Sequence, residues 1–538
     1  MDGAGRRLCT QRTLGWRSGG VRSVARMTSL WQDRRDRTER LQGREPLTPE
    51  SVDGERFDVV VVGAGLTGLI TALLLVRAGK RVALLEAGRV GALTTGGSTA
   101  KVSLLQGTVY SRMSGETAKK NAVAYVESNR EGFWWLLRYL DDHSVDYQVK
   151  DAYTYAGTPE GAATVDDEHL AARRFGLPVD KTRLDLPFPT YGAIRLADQA
   201  QIDPIEVLDA LADDFRSRGG VLVENARVRG VSARGGARRG DARVRSDAGE
   251  VDAGKVVLAT GTPILDRGLY FAKTEPYRSY AISYRMPADS PGIDGMYISG
   301  DSPTRSIRTA PIVAADGFGD ASGELLLMGG NGHVVGREPH AAGQVDDLEE
   351  WTTKYFPGAV RTHAWSAQDY VPMNPLPFAG WMPRSAGRVY FATGYAKWGM
   401  TNAVASGLRI AAELLGEDPW WGLVIGSRVT RPPSILRGAK AGIEVGKETL
   451  TGWVGAETTS APETPAEGQG VVGNVGGKPV GVCTVAGRTS RVSAVCPHLG
   501  GVLGWNDQEK SWDCPLHGSR FAADGTRIEG PATADLAR

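Results

Sequence analysis

Phe57-Asp-Val-Val-Val-Val-Gly63-Ala-Gly65-Leu-Thr-Gly68 decides how the front of this chain is read. The valine run is short, apolar and stopped by glycine, which predicts a strand buried on both faces of a parallel sheet. Leu69 to Arg77 has helical composition and runs into Ala78-Gly79; a second strand, Arg81-Val-Ala-Leu-Leu85, then closes on Glu86. Strand, glycines, helix, strand and acid in that order predict a dinucleotide-binding unit. Gly63 permits the tight turn, Gly65 lets a pyrophosphate approach the backbone, and Gly68 lets helix and strand pack closely. The helix N-terminus faces the phosphates. Glu86 falls about twenty residues beyond the glycines, where a carboxylate accepts ribose hydroxyls.

Outward from this unit, the composition sets bounds. A chain of 538 residues holds two to four domains. Hydrophobic residues at 41% and charged residues at 23% are ordinary for a globular protein. Basic and acidic side chains, 63 against 62, leave a net charge of +1, which argues against nucleic acid as a partner. The longest apolar run, Leu69 to Val76, is far short of a transmembrane segment. Four cysteines, Cys9, Cys483, Cys496 and Cys514, are too few for a disulfide scaffold. Residues 1–55 read as a basic, disordered tail, with Arg6, Arg7, Arg12, Arg17 and Arg22 and no acid between Asp2 and Met27. Translation from Met27 is the preferred reading, a transit-like segment the other. The Pro/Thr/Glu/Ala stretch Gly455 to Gly468 predicts a linker over 451–469, dividing a body at 56–450 from a C-terminal domain at 470–538.

Gly88-Arg-Val-Gly-Ala-Leu-Thr-Thr-Gly-Gly-Ser-Thr99-Ala-Lys101 resembles the second phosphate-contacting segment of the FAD-dependent amine and amino-acid oxidases, the D-amino-acid oxidase and glycine oxidase superfamily. The likeness extends to the strand Lys255-Val-Val-Leu-Ala259 ending in Thr260-Gly261. It includes a further strand at Arg388 to Ala392, followed by Thr393-Gly394-Tyr-Ala-Lys397-Trp398-Gly-Met400-Thr401-Asn402 and a helix from Ala403 to Leu415. It implies an α/β FAD-binding fold with an interleaved antiparallel-sheet substrate domain, in segments at about 150–200 and 275–375. It implies FAD contacts from Thr99, Gly394, Met400 and Thr401 beside Gly63, Gly65, Gly68 and Glu86. The alternating strands Tyr280 to Arg285 and Ser306 to Ala310 suit such a sheet. Gly330-Asn-Gly-His-Val-Val-Gly336 has the wrong spacing for a second dinucleotide turn and reads as a glycine-rich hairpin. Electrons therefore enter from a small-molecule substrate. Candidate catalytic residues are Lys397 and Trp398 in the flavin loop, Arg308 as a bidentate holder of a substrate carboxylate, and Asp369, which with Tyr370 forms a further loop candidate. The histidines outside the C-terminal domain do not organise into a set, and Cys483 reads as inert core.

Cys496-Pro-His498-Leu-Gly500 and Cys514-Pro-Leu-His517-Gly-Ser-Arg-Phe521 supply two Cys-His pairs at tight spacing. Two thiolates suit one iron and two imidazoles the other. A zinc site of two cysteines and two histidines is the alternative, without the finger helix it needs. The segment resembles the Rieske [2Fe-2S] proteins, a small all-β domain, with Cys496, His498, Cys514 and His517 as metal ligands. High-potential relatives carry an extra cysteine in each loop; Gly501 and Leu516 stand there, which fits a reducing cytoplasm. Phe521 replaces a tyrosine that bonds a ligand sulfur, and Ser519 is kept, which together imply an intermediate potential.

The combination implies an FAD- and [2Fe-2S]-dependent oxidoreductase. The leading reading is dehydrogenation of a small amine, amino acid or hydroxy acid, with electrons leaving singly to a one-electron carrier protein or a quinone. A carrier-driven reductase or desaturase, a Rieske oxygenase and a redox sensor are the rivals. The oxygenase lacks a visible two-histidine, one-carboxylate set.

Overall fold

The computed structural model describes residues 28–42, 51–236, 238, 240–318, 323–426 and 462–538. The valine run forms strand Arg56–Val62 at the centre of an eight-stranded sheet. It lies parallel to Val82–Leu85 on one side and to Gly249–Leu258 on the other. Val221–Val223 and Val389–Thr393 extend the parallel set outward. Val60, Val61, Ala83, Leu84, Val256 and Val257 have no exposed surface, which explains the unbroken apolar runs. Helix Leu66–Arg77 packs over this sheet and against helix Gly399–Leu415, where a Cβ on Gly407 would stand only 3.0 Å from the Ile70 side chain.

A second sheet of nine strands lies beside the first, with the order Val360–Pro372, Thr274–Arg285, Glu324–Val334, Arg305–Pro311, Met296–Ser299, Tyr147–Tyr155, Ala193–Ile202 and Lys101–Val102, and with Asp180–Thr182 paired off this path. All its pairings are antiparallel except Met296–Ser299 with Tyr147–Tyr155. Two local expectations change here. Asp369 and Tyr370 sit inside a thirteen-residue strand rather than a loop. Gly330 to Val334 continue the strand Glu324–Val334 instead of turning a hairpin, and a bulge opposite Arg278 and Tyr280 absorbs their irregularity.

The C-terminal domain holds a three-stranded sheet (Gly470–Val475, Lys478–Val485, Arg488–Ser493) and a four-stranded one (Gly504–Asn506, Ser511–Asp513, Arg520–Ala522, Arg527–Glu529). Cys483, Trp512 and Phe521 fill its core without exposed surface, and burial pushes the Cys483 thiol up to about 11, so it stays protonated and inert.

The N-terminal expectation needs correction. Leu30–Leu41 is a helix, not part of a disordered tail. Ser29 and Gln32 form a reciprocal capping box, a pattern readable in Ser29-Leu-Trp-Gln32. Leu30 and Trp31 are buried; the Trp31 indole donates to the Ser98 carbonyl at 2.8 Å and the Ser29 hydroxyl to that of Gly96 at 2.6 Å. Arg34 forks onto Asp316, both bonds at 2.8 Å. The helix thus clamps the segment that carries Thr99. Residues 1–27 and most of the expected linker lie outside the described residues. From 462 to 469 the chain belongs to the C-terminal domain: Glu467 bridges to Thr484, and its carboxylate accepts the amides of Ala486 and Gly487 at 2.7 and 2.9 Å.

Candidate functional site

A cavity of about 320 Å³ opens along the carboxyl ends of the parallel strands. Gly63, Gly65, Glu86 and Thr99 line it, as do Lys397, Trp398 and Met400 from the loop and first turn of helix Gly399–Leu415. The glycine roles are geometric. Gly63 has φ +103°, and a Cβ there would stand 2.4 Å from the Ala259 carbonyl oxygen. A Cβ on Gly68 would fall 1.9 Å from the Gly63 carbonyl oxygen, so only glycine lets this helix start so close to its strand. Glu86 is buried and accepts the amides of Ala64 and Gly88 at 2.7 and 2.8 Å, which pins its carboxylate at the cavity wall.

At the other end of the cavity, Lys397 has φ +73°, and its backbone amide donates to the Asp369 carboxylate, which also accepts from the Tyr370 amide at 2.7 Å. Asp369 therefore holds the loop in its left-handed turn. The Lys397 ammonium lies 4.3 Å from the centre of the Tyr277 ring, and burial draws its pKa down to about 8 against the pull of Asp369. Lys101, which sequence reading passed over, also lines the cavity; it donates to the Ser306 hydroxyl, and burial beside Arg308 takes it down to about 7. Its only sequence signal was its place at the end of the segment carrying Thr99.

Three expected contacts are not made. Arg308 does not face the cavity: it is 1% exposed, and its guanidinium donates to the carbonyls of Thr309, Thr99, Ala100 and Ile202 at 2.8 to 3.1 Å. It pins the Thr99 segment and does not line the cavity. Gly394 lines a small neighbouring cavity with Thr108 and Arg112 instead. Thr401 turns inward, donating to Asn129 at 2.6 Å and accepting from Gln106 at 3.2 Å within a buried amide network. Helix Gly399–Leu415 begins four residues earlier than the sequence suggested, which rotates Thr401 away from the cavity.

In the C-terminal domain the paired ligands converge at one tip. Cys496 and Cys514 are each 2% exposed, and their thiols lie close enough to interact directly. The rings of His498 and His517 are 5.2 Å apart, edge to face. Two facing thiols beside two facing imidazoles fit a [2Fe-2S] cluster with both cysteines on one iron and both histidines on the other. Ser519 lies beside Cys496, and its hydroxyl accepts the Ala532 amide at 3.0 Å. The Leu516 side chain occupies the space over Gly501: a Cβ there would lie 2.6 Å from the leucine Cδ1. Packing thus stands where an inter-loop disulfide would.

The tip does not point to solvent. Phe271 stacks edge-on against both imidazoles at 5.0 and 4.7 Å, and Asp266 accepts from His498 at 2.9 Å. A Cβ on Gly518 would lie 2.4 Å from Pro276, and one on Gly336 2.6 Å from the Pro515 nitrogen. The Gln368 amide donates to the Gly518 carbonyl at 2.8 Å and to the Tyr370 hydroxyl at 3.0 Å, and Tyr370 lines the cavity. Buried Arg278 reaches Asp513 at 3.6 Å across the same junction.

A flavin fold with a Rieske domain docked on it defines the class. The model of the FAD dependent oxidoreductase family matches residues 58–413, and the Rieske [2Fe-2S] domain model matches 457–538. The chain belongs to the FAD-dependent oxidoreductase family and carries a C-terminal Rieske domain; it is an oxidoreductase that binds FAD and a [2Fe-2S] cluster. It is 28% identical over 505 residues to a putative Rieske 2Fe-2S iron-sulfur protein of Bacillus subtilis, YhfW, covering 91% of this chain and 95% of that one. Against the cytochrome b6-f iron-sulfur subunit of Microcystis aeruginosa it is 48% identical over 46 residues, 9% of this chain and 26% of that subunit. In fold it is similar to glycine oxidase from Geobacillus kaustophilus (TM-score 0.57, 19% identity, 70% of this chain, 100% of that one). L-proline dehydrogenase from P. horikoshii is a further neighbour (TM-score 0.53, 17% identity, 73% and 99%). Among the described residues no helix is long and apolar enough to cross a membrane.

Proposed function

We propose that the protein dehydrogenates a small amine, amino acid or hydroxy acid and passes the electrons through its own Rieske cluster to a one-electron carrier or quinone. Bound FAD would supply a two-electron acceptor for the substrate carbon, and a bound cluster would supply one-electron transfer. The observation that carries this reading is the Gln368 amide, which joins Tyr370 of the cavity wall to Gly518 of the second cluster loop. A cluster serving an unrelated purpose has no need of that contact. Gly63, Gly65, Glu86, Thr99 and Met400 hold the dinucleotide. Lys397, Trp398 and Lys101 face the substrate, and Asp369 positions Lys397 through its backbone amide. Leu516 over Gly501 makes the cluster loops independent of an oxidising compartment, which supports a cytoplasmic location.

Anaerobic mixing with amines, amino acids and hydroxy acids, followed at the flavin and cluster bands, tests the proposal. Flavin bleaching followed by cluster reduction is expected with one class. If no class bleaches the flavin while reduced carriers reduce cluster and then flavin, electrons run the other way and the dehydrogenase reading falls. In His517→Ala with FAD retained, substrate still reduces the flavin in one turnover, and transfer to a one-electron acceptor slows. Normal turnover in that variant would take the cluster off the catalytic path.

A further inference from the structure

The cavity wall is not built by the flavin domain alone. Arg527, Ile528 and Glu529, the last strand of the Rieske domain, and Gly530 after it line the cavity beside Arg227 and Val228. This is the end of the cavity beside Glu86, whose carboxylate lies within electrostatic reach of Arg227. The junction is bonded: the Arg227 guanidinium donates to the carbonyls of Arg527 and Ile528 at 3.3 and 3.4 Å.

Two cations therefore line this end of the cavity. Arg527 is 6% exposed, donates to the Gly530 carbonyl at 2.8 Å, and has a buried Nε without a hydrogen-bond acceptor among the described residues. Burial, then repulsion from Arg227 and Arg229, depresses its basicity, with Tyr370 and Asp535 opposing; the Asp535 carboxylate also accepts the Arg527 backbone amide at 2.8 Å. The acid on the same strand gives no relief, because Glu529 is held by Arg520 at 2.6 Å. Arg527 is buried and Arg227 half-buried, and two like charges within reach of one another favour an anion bound beside them. Guanidinium planes suit both phosphate oxygens and the face of a purine ring.

We propose that Arg527 of the Rieske domain, together with Arg227, closes the FAD site by contacting its adenosine diphosphate half, so that the cofactor is held by both domains. The wall segment packs directly on the second cluster loop: a Cβ on Gly530 would meet Ser519 Cα at 2.4 Å. FAD binding and the docked position of the Rieske domain are then linked, and each strengthens the other.

The test uses the full-length protein with Arg527→Ala and Arg527→Gln, with FAD dissociation read by flavin fluorescence on dilution and the cluster by iron and acid-labile sulfide. Loss of charge-assisted bonds should weaken FAD binding about 10-fold or more. Cluster content stays unchanged, and Arg527→Lys recovers part of the loss. Unchanged FAD dissociation in the Ala and Gln variants overturns the proposal. Should neither variant stay soluble, amide hydrogen exchange in the wild-type protein decides: segment 527–530 must exchange more slowly with FAD bound than after flavin removal. Equal exchange in the two states overturns the proposal as well.

Discussion

The cluster ligands all fall between Cys496 and His517, on two loops of one small domain, whereas the flavin cavity draws its wall from Val62 through Gly530. The first site is local: each Cys-His pair is fixed by a few residues of backbone. The second exists only when two sheets, a helix and a separate domain meet. A local ligand set fails all at once when one member is removed, while a distributed wall degrades by degrees. Mutation can sharpen or break that contrast.

The largest effect is expected for Cys514→Ala. One thiolate cannot be replaced by its neighbours, so iron and acid-labile sulfide should fall nearly to zero, read by colorimetric analysis and the visible spectrum. Substantial cluster retention would mean that the ligand set is wrong. Next comes Gly68→Val, which drives a side chain into the Gly63 carbonyl. Expected are loss of bound flavin, read by absorbance at constant protein, and destabilisation of about 1–3 kcal/mol or more by denaturant melting. A third variant, Arg308→Met, leaves buried carbonyls unpaired. It should cost about 2–3 kcal/mol in stability while leaving the substrate concentration for half-maximal flavin reduction unchanged; a selective rise in that concentration would return Arg308 to a substrate-binding role. The smallest effect is a gain. Gly501→Cys with Leu516→Cys places two thiols where leucine now packs on glycine, and oxidation should add about 1–2 kcal/mol to the small domain, less than the ~3 kcal/mol that chain entropy allows. Loss of that gain on adding dithiothreitol checks the origin.

The same contrast explains what could be read without coordinates. The paired Cys-His motifs and the Gly63 to Gly68 turn carry their geometry in contiguous residues, and they were legible for that reason. Arg308 was misassigned because a strand position says which face a side chain takes but not which carbonyls lie across it. Thr401 was misplaced because a shift of one helical turn at Gly399 decides which residues reach the cavity. Lys101 and Arg527 were invisible as cavity residues: nothing near either one in the sequence announces the remote wall it joins. The helix Leu30–Leu41 shows the converse failure. Its capping box was legible, but its many charges masked the two buried residues, Leu30 and Trp31, that anchor it.

Gly518 and Gly336 come from different domains, and each lacks a side chain where the other domain presses a proline against it. In evolutionary terms the pair removes modularity from what looks like a simple fusion. A Rieske domain transplanted from another protein with any larger residue at the Gly518 position would meet Pro276, and a flavin domain with a side chain at Gly336 would reject Pro515. The two halves can exchange partners only together with the bare backbone that seats them, so this junction should drift more slowly than the outer strands of either domain.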